Sequence, residues 1–174
     1  MPRLPAFLFV LTCLPLFAGE PAVTLRVGVA AADITPGIEV RNWVTGRAYA
    51  EVLDPLQVQV LTLDDGTAKA ALVRWDLTDV SESSRDEVRR AIEAATGIPG
   101  ANVMINASHT HSGPWSPVYK DGYRGKERDN WWAVRHMPTQ NDYPPFRAWM
   151  EKLIAATVDA TKRALAGEIG RAHV

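Results

Sequence analysis

The chain has 174 residues, 47% of them hydrophobic and 22% charged, so it is the size of one domain with enough apolar content for a core, which excludes an intrinsically disordered protein. Its 19 lysines and arginines stand against 20 acidic residues for a formal net charge of -1. No long basic run stands out, and nucleic acid is therefore not an expected partner.

The N-terminus carries Arg3, then the apolar run Ala6 to Phe17, then the small pair Ala18-Gly19. The run is too short to span a bilayer, and the order of features predicts a secretory signal peptide over residues 1–18 and a secreted or periplasmic protein. Cleavage leaves a mature domain, residues 23–174, without cysteine, since Cys13 is the only one; no disulfide then forms in any compartment. Acylation at Cys13 is a weaker reading because Thr12 precedes it. Pro2, Pro5 and Pro15 disfavour an N-terminal core helix.

From Val23 to Ala32 the β-branched and small residues predict a strand. It runs into Ala32-Asp33-Ile34-Thr35-Pro36-Gly37, where Pro-Gly marks a turn. Asp33 thus stands at a strand end, where a turn-capping role is the plainer reading and a role behind a metal ligand the alternative. Residues 38–54 are irregular; Arg41, Arg47, Asn42, Trp43 and Tyr49 there suit either a sealed surface loop or a grip on a carboxylate or oxyanion.

After Asp54-Pro55, the alternation of Leu56 to Leu63 predicts a half-buried strand, Asp65-Gly66 a hairpin turn, and Ala68 to Trp75 the return strand. The apolar run Ala70-Ala71-Leu72-Val73 predicts burial on both faces there. Asp76 closes the strand, as a turn cap or as a carboxylate oriented toward a histidine. Capping-box spacings follow from Ser81, clearest for Ser84 with Glu87. Val88, Ala91, Ile92 and Ala95 mark the inner stripe of a helix, with Arg89, Arg90 and Glu93 outward, that Gly97 and Pro99 end.

Val103-Met104-Ile105 predicts a short strand, which with the preceding strand and helix makes a β-α-β crossover. It leads into Asn106-Ala107-Ser108-His109-Thr110-His111-Ser112-Gly113-Pro114. If strand geometry persists, His109 and His111 project from the same face, and two imidazoles so placed can share one small cation. The plain alternative is an exposed polar loop, but two of only four histidines fall in one tripeptide. Residues 115–142 show no period and carry Trp115, Tyr119, Tyr123, Trp131 and Trp132, a wall or lid over the histidines or ordinary packing; His136 reads as a surface residue. Pro144-Pro145 begins a helix with the stripe Phe146, Trp149, Leu153, Thr157, Ala160, Ala164, and Gly167 stops it. Gly170 to Val174 resembles the start of another strand. The whole predicts an α/β fold, a mixed β-sheet with flanking helices.

Several of these stretches together resemble the N-terminal region of the neutral/alkaline ceramidase family. They are Arg26 to Pro36, Asp54-Pro55-Leu56, Leu61 to Gly66, Ala95 to Pro99 with Asn102-Val103, and above all Ser108-His109-Thr110-His111-Ser112-Gly113-Pro114. The resemblance implies a zinc hydrolase that cleaves the N-acyl amide of ceramide to sphingosine and fatty acid, secreted or membrane-associated, with possible contact to a membrane surface. It implies that His109 is the first zinc ligand and His111 a neighbouring histidine serving catalysis. Zinc as a cofactor would activate water and polarise the carbonyl, and His111 would pass a proton to the leaving amine. Family members are several times longer, so the resemblance alone implies that the chain forms an incomplete part of a larger catalytic domain, and the other ligands, a second histidine, a glutamate and a tyrosine, are expected beyond Val174. Trp115-Ser116-Pro117 replaces a glycine-rich step of the family and reshapes the wall beside the acyl group.

Two other readings compete with this one. In the first, His109 and His111 with Asp76 or Asp33 form a self-sufficient metal site acting on another ester or amide. In the second, the chain is a non-catalytic exported module whose aromatic loop grips a lipid or glycan.

Overall fold

The structure, a computed structural model, describes residues 24–42, 45–117, 119 and 143–173. The expected signal peptide over 1–18, Trp43, His136 and the aromatic residues Tyr123, Trp131 and Trp132 lie outside them.

The fold is α/β. Five strands, β1 (Thr24–Asp33), β2 (Gln57–Asp64), β3 (Lys69–Trp75), β4 (Val103–Ala107) and β5 (Glu168–His173), form one mixed sheet in the order β4-β3-β2-β1-β5. The β2–β3 hairpin turns where Asp65-Gly66 predicts it, with Asp64 opposite Lys69 and Gly66 at φ 87°. Asp65 Oδ1 accepts from the N–H groups of Thr67 and Ala68, at 2.8 and 2.7 Å, so its side chain closes the turn. The crossover is also as expected: β3 runs parallel to β4, joined by helix α1 (Glu82–Thr96). The tail after Gly167 pairs antiparallel with β1 as β5.

Helix α1 starts earlier than its clearest capping signal. Ser81 is the N-cap, its side chain accepting from the Ser84 N–H at 3.1 Å, and Ser84 lies buried inside the helix. The Ser84–Glu87 capping box does not form: Ser81 takes the cap one turn earlier, and the Ser84 hydroxyl bonds to Ser116 Oγ and the Pro117 carbonyl. Val88 and Ile92 are buried as the stripe predicts, whereas Ala95 is exposed. Arg89 is not a free outward residue, since its Nε donates to the Val103 carbonyl at 3.0 Å. Gly97, at φ 74°, ends the helix in the left-handed conformation that glycine adopts without steric cost.

Helix α2 (Pro144–Ala166) buries every residue of the expected stripe from Phe146 to Ala164. It packs on β1, β2 and α1, so both helices cover one face of the sheet and share one core with it. At Gly28 the approach is so close that a Cβ would land on the backbone carbonyl of Ala164. Trp75 joins sheet to helix twice over, through its buried ring and through an Nε1–H bond of 2.9 Å to Thr157 Oγ1.

No described element covers the other face. Burial alternates along β3 instead of running continuously, with Ala71, Val73 and Trp75 buried while Leu72 points outward. Val29, Leu61, Leu72 and Met104 are direct cross-strand neighbours in one row. Val29, Leu72 and Met104 are 45%, 39% and 59% exposed. The expectation of two-sided burial at 70–73 fails because no described helix covers this side. No helix of the described residues is long and apolar enough to cross a membrane.

The topology gathers chemistry at one end. β1, β3 and β4 run the same way, so Asp33, Trp75 and Ala107 end at one edge of the sheet, the place where open sheets take ligands.

Candidate metal and active site

The histidine loop begins as a continuation of the ladder, with the Ser108 N–H donating to the Trp75 carbonyl at 2.9 Å. Strand geometry stops there. His109 has φ 63°, the only non-glycine residue with positive φ among the described residues. Histidine is among the residues enriched in this region, yet it holds the conformation at a cost on the order of 1 kcal/mol. Alternation along a strand is therefore not what brings the two imidazoles together. The left-handed step does: the ring centroids of His109 and His111 lie 5.0 Å apart at 78°, and their Nε2 atoms 3.4 Å apart.

The segment after β3 fixes this arrangement. His109 Nδ1 lies 2.7 Å from the Thr78 carbonyl oxygen, and Thr78 Oγ1 donates to the Thr110 carbonyl at 2.9 Å. A carbonyl only accepts, so Nδ1 carries a proton, and a ring protonated at that nitrogen alone presents a lone pair at Nε2. A metal-binding histidine held by a backbone carbonyl has this form. Two nitrogens on one tetrahedral zinc ion are about 3.3 Å apart, close to the separation here. His109 thus fits a metal ligand, and the pair fits a single small cation.

The described residues contain no cluster of three or more His, Cys, Asp or Glu side chains that would hold a metal ion. Asp76 is occupied elsewhere, accepting from the Gln57 N–H at 3.1 Å and lying 3.6 Å from Arg74. Asp33 closes its own turn through the Thr35 N–H at 2.6 Å and lies 3.5 Å from Lys152. Its slight burial raises the carboxyl pKa, but the Thr35 bonds and Lys152 outweigh this and hold it below the ordinary value. The self-sufficient set of two histidines with Asp76 or Asp33 is not assembled; Asp33 takes the turn-capping role, and Arg41 lies over the Tyr143 ring, 5.3 Å from its centroid.

A group of serines that no sequence motif singles out fastens the far end of the loop. Ser116 Oγ accepts from the Ser81 N–H and pairs with Ser84 Oγ, both at 3.0 Å. Ser81 and Ser84 hydroxyls donate to the Pro117 carbonyl at 2.8 and 2.7 Å, and the Ser116 N–H donates to Asp79 Oδ1 at 3.2 Å. All three serines are buried. The only sequence trace is the apparent excess of capping residues at Ser81, Ser83 and Ser84. Between the two fastenings, Gly113 is buried and closely flanked: a Cβ there would lie 3.1 Å from the Leu56 side chain and 3.3 Å from the Asp76 carbonyl, tight enough that these neighbours would have to give slightly. Its role is close approach, not a positive φ. Farther on, Tyr119 donates its hydroxyl to the Met150 carbonyl at 2.9 Å, and burial pushes its pKa upward.

Beside His111 opens a pocket of about 620 Å³, walled by the turn after β1, by residues 49–56 and by the histidine loop. α2 holds that turn in place: Trp149 Nε1 donates to the Ile34 carbonyl at 2.6 Å and Lys152 Nζ to the Thr35 carbonyl at 2.9 Å. The Leu56 N–H donates to Thr35 Oγ1 at 2.9 Å, tying the 49–56 wall to the same turn. Tyr49 lines the pocket with an enclosed hydroxyl that makes no hydrogen bond of normal geometry. Burial pushes its pKa up to about 12, against a smaller opposing effect of Asn42, so it stays protonated near neutrality. The sequence marks Asn42 and Tyr49 as candidates but not the pocket they share.

No family model and no curated protein matches this chain. Among solved structures it is similar to the neutral ceramidase of Pseudomonas aeruginosa, with a TM-score of 0.61 and 20% identity over 85% of this chain and 22% of that one. A structure described as ceramidase complexed with C2 gives a TM-score of 0.61 and 21% identity over 83% of this chain and 22% of its own. The chain therefore spans about a fifth of the length of these structures, and over that span it shares their fold.

Proposed function

We propose that this chain is part of a zinc-dependent amide hydrolase of neutral ceramidase type, exported from the cell and acting on a lipid-like N-acyl amide of the ceramide class at or near a membrane surface. The observation that carries this reading is the His109–His111 pair, its first imidazole anchored on Thr78 and its Nε2 atoms 3.4 Å apart beside the pocket. His109 Nε2 would hold zinc, with the remaining ligands supplied from outside the described residues. Zinc bound there supplies Lewis acidity toward water and an amide carbonyl. His111 moves the proton: as water oxygen bonds to the acyl carbon and the C–N bond breaks, its ring delivers a proton to the departing nitrogen. Thr78 keeps the His109 ring oriented throughout, and the pocket keeps the amide next to His111.

Zinc content and turnover of a fluorogenic N-acyl amide test the assignment. His109→Ala is expected to lose both zinc and turnover; His111→Ala is expected to keep zinc while turnover falls about 10²- to 10⁴-fold. Unchanged zinc content in His109→Ala would overturn the proposal. The 3.4 Å separation favours one second reading, a chelating pair, in which His111→Ala loses zinc as well.

A further inference from the structure

Two stretches run side by side beyond the end of the sheet. After β3 the chain passes through Thr78, Asp79 and Ser81 into α1; after β4 it passes through His109 and His111 to Ser116 and Pro117. The second stretch is bonded to the first near both of its ends. Near its start, His109 Nδ1 meets the Thr78 carbonyl, and Thr78 Oγ1 donates to the Thr110 carbonyl. At its far end the Ser116 N–H donates to Asp79 Oδ1, and Ser116 Oγ accepts from the Ser81 N–H and pairs with Ser84 Oγ. The Ser81 and Ser84 hydroxyls both donate to the Pro117 carbonyl, and the Tyr119 N–H continues the series onto Ser83 Oγ at 3.1 Å. His111 and Ser112 are exposed and lie between these fastenings, while Gly113, Pro114, Ser116 and Pro117 are buried.

The two fastenings act on different histidines. The Thr78 carbonyl grips the His109 ring directly, whereas His111 is placed through its backbone, tied at Thr110 on one side and at buried Ser116 on the other. Backbone held on both sides fixes where the side chain between can reach, and a displacement of about 1 Å at a reacting group costs up to about 10²-fold in rate. Buried hydroxyl bonds hold such a position well, because a broken one leaves a polar group without water. We infer that Ser116 and Ser84 are positioning residues for His111, so that the first turn of α1 sets the separation of the two imidazoles. The proton-moving role of His111 rests on the hydrolase reading above; the placement of its ring is measurable without it.

Two variants test this. Ser116→Ala removes the acceptor of the Ser81 N–H. Ser84→Ala is milder, since Ser81 still bonds to Ser116 Oγ and to the Pro117 carbonyl and alanine suits a helix interior, so it reports even where Ser116→Ala fails to fold. The first readout is NMR cross-relaxation between the His109 and His111 rings, whose centroids lie 5.0 Å apart, in the full metal-free chain. Ser116→Ala is expected to lose most of it and Ser84→Ala part of it, while the ring-nitrogen shifts of His109 stay unchanged. The second readout is turnover of the fluorogenic amide: kcat is expected to fall about tenfold and about threefold, at unchanged KM and zinc content. In a His111→Ala background, Ser116→Ala should add nothing further. Ile98→Val, a core truncation just past the far end of α1, is expected to lower the melting temperature and leave both readouts as they are. Ring contact kept in the serine variants, or lost equally in Ile98→Val, would overturn the inference. Zinc-dependent turnover with the ring contact kept removes this inference alone, whereas loss of the contact in a chain that neither binds zinc nor hydrolyses amides removes the hydrolase reading and leaves the positioning.

Discussion

The two faces of the sheet are built from the same alternating strands and end up differently. On one face Val58, Val60, Val73 and Trp75 are buried beneath α1 and α2; on the other, Val29, Leu72 and Met104 form part of one apolar row that no described element covers. Alternation decides which residues stand together, but only a partner element decides whether burial follows. The site belongs to the covered side. Trp75 binds Thr157 of α2 through its ring, its carbonyl holds Ser108, and the chain following it supplies Thr78 for His109.

Three substitutions sharpen this contrast, beginning with the largest expected effect. Gly28→Ala drives a methyl group onto the Ala164 carbonyl where α2 meets β1. Neither backbone moves without repacking the core, so a loss of about 3 kcal/mol or more is expected in urea unfolding; a loss below about 1 kcal/mol would mean that the helix stands farther from the sheet. Trp75→Phe keeps most of the buried ring but removes its N–H bond to Thr157. A loss of about 1–2 kcal/mol is expected, with Thr157→Val giving a smaller loss and little added effect in the double variant. On the other face, Leu72→Ser and Met104→Ser should each shift stability by no more than about 0.5 kcal/mol, read in the same urea titration. A drop comparable to that of Trp75→Phe would show this face to be covered in the folded protein.

Much of the architecture is legible in the sequence because local signals agree with the tertiary result. Asp65-Gly66 makes its hairpin, Gly97 ends its helix, and the stripe from Phe146 to Ala164 points into the core. The signal at 70–73 misleads because four small or apolar residues in a row do not reveal whether a second layer exists. At the site, the sequence isolates the histidines as candidates but attributes their convergence to strand alternation, whereas a single left-handed residue and a carbonyl 31 positions earlier produce it. The serine fastening is less legible still. Ser116 meets Ser81 and Ser84 across more than 30 residues, and hydroxyls carry no periodicity to announce such a meeting.

The backbone at His109 has a consequence for any effort to improve this protein. At that φ, glycine relieves the strain and asparagine tolerates it, and both are the usual occupants of such a position. Selection for robustness alone would tend to exchange the imidazole for one of them, erasing the donor while leaving a sturdier loop. Under the proposed function, position 109 is thus a place where thermostabilisation and chemistry pull in opposite directions.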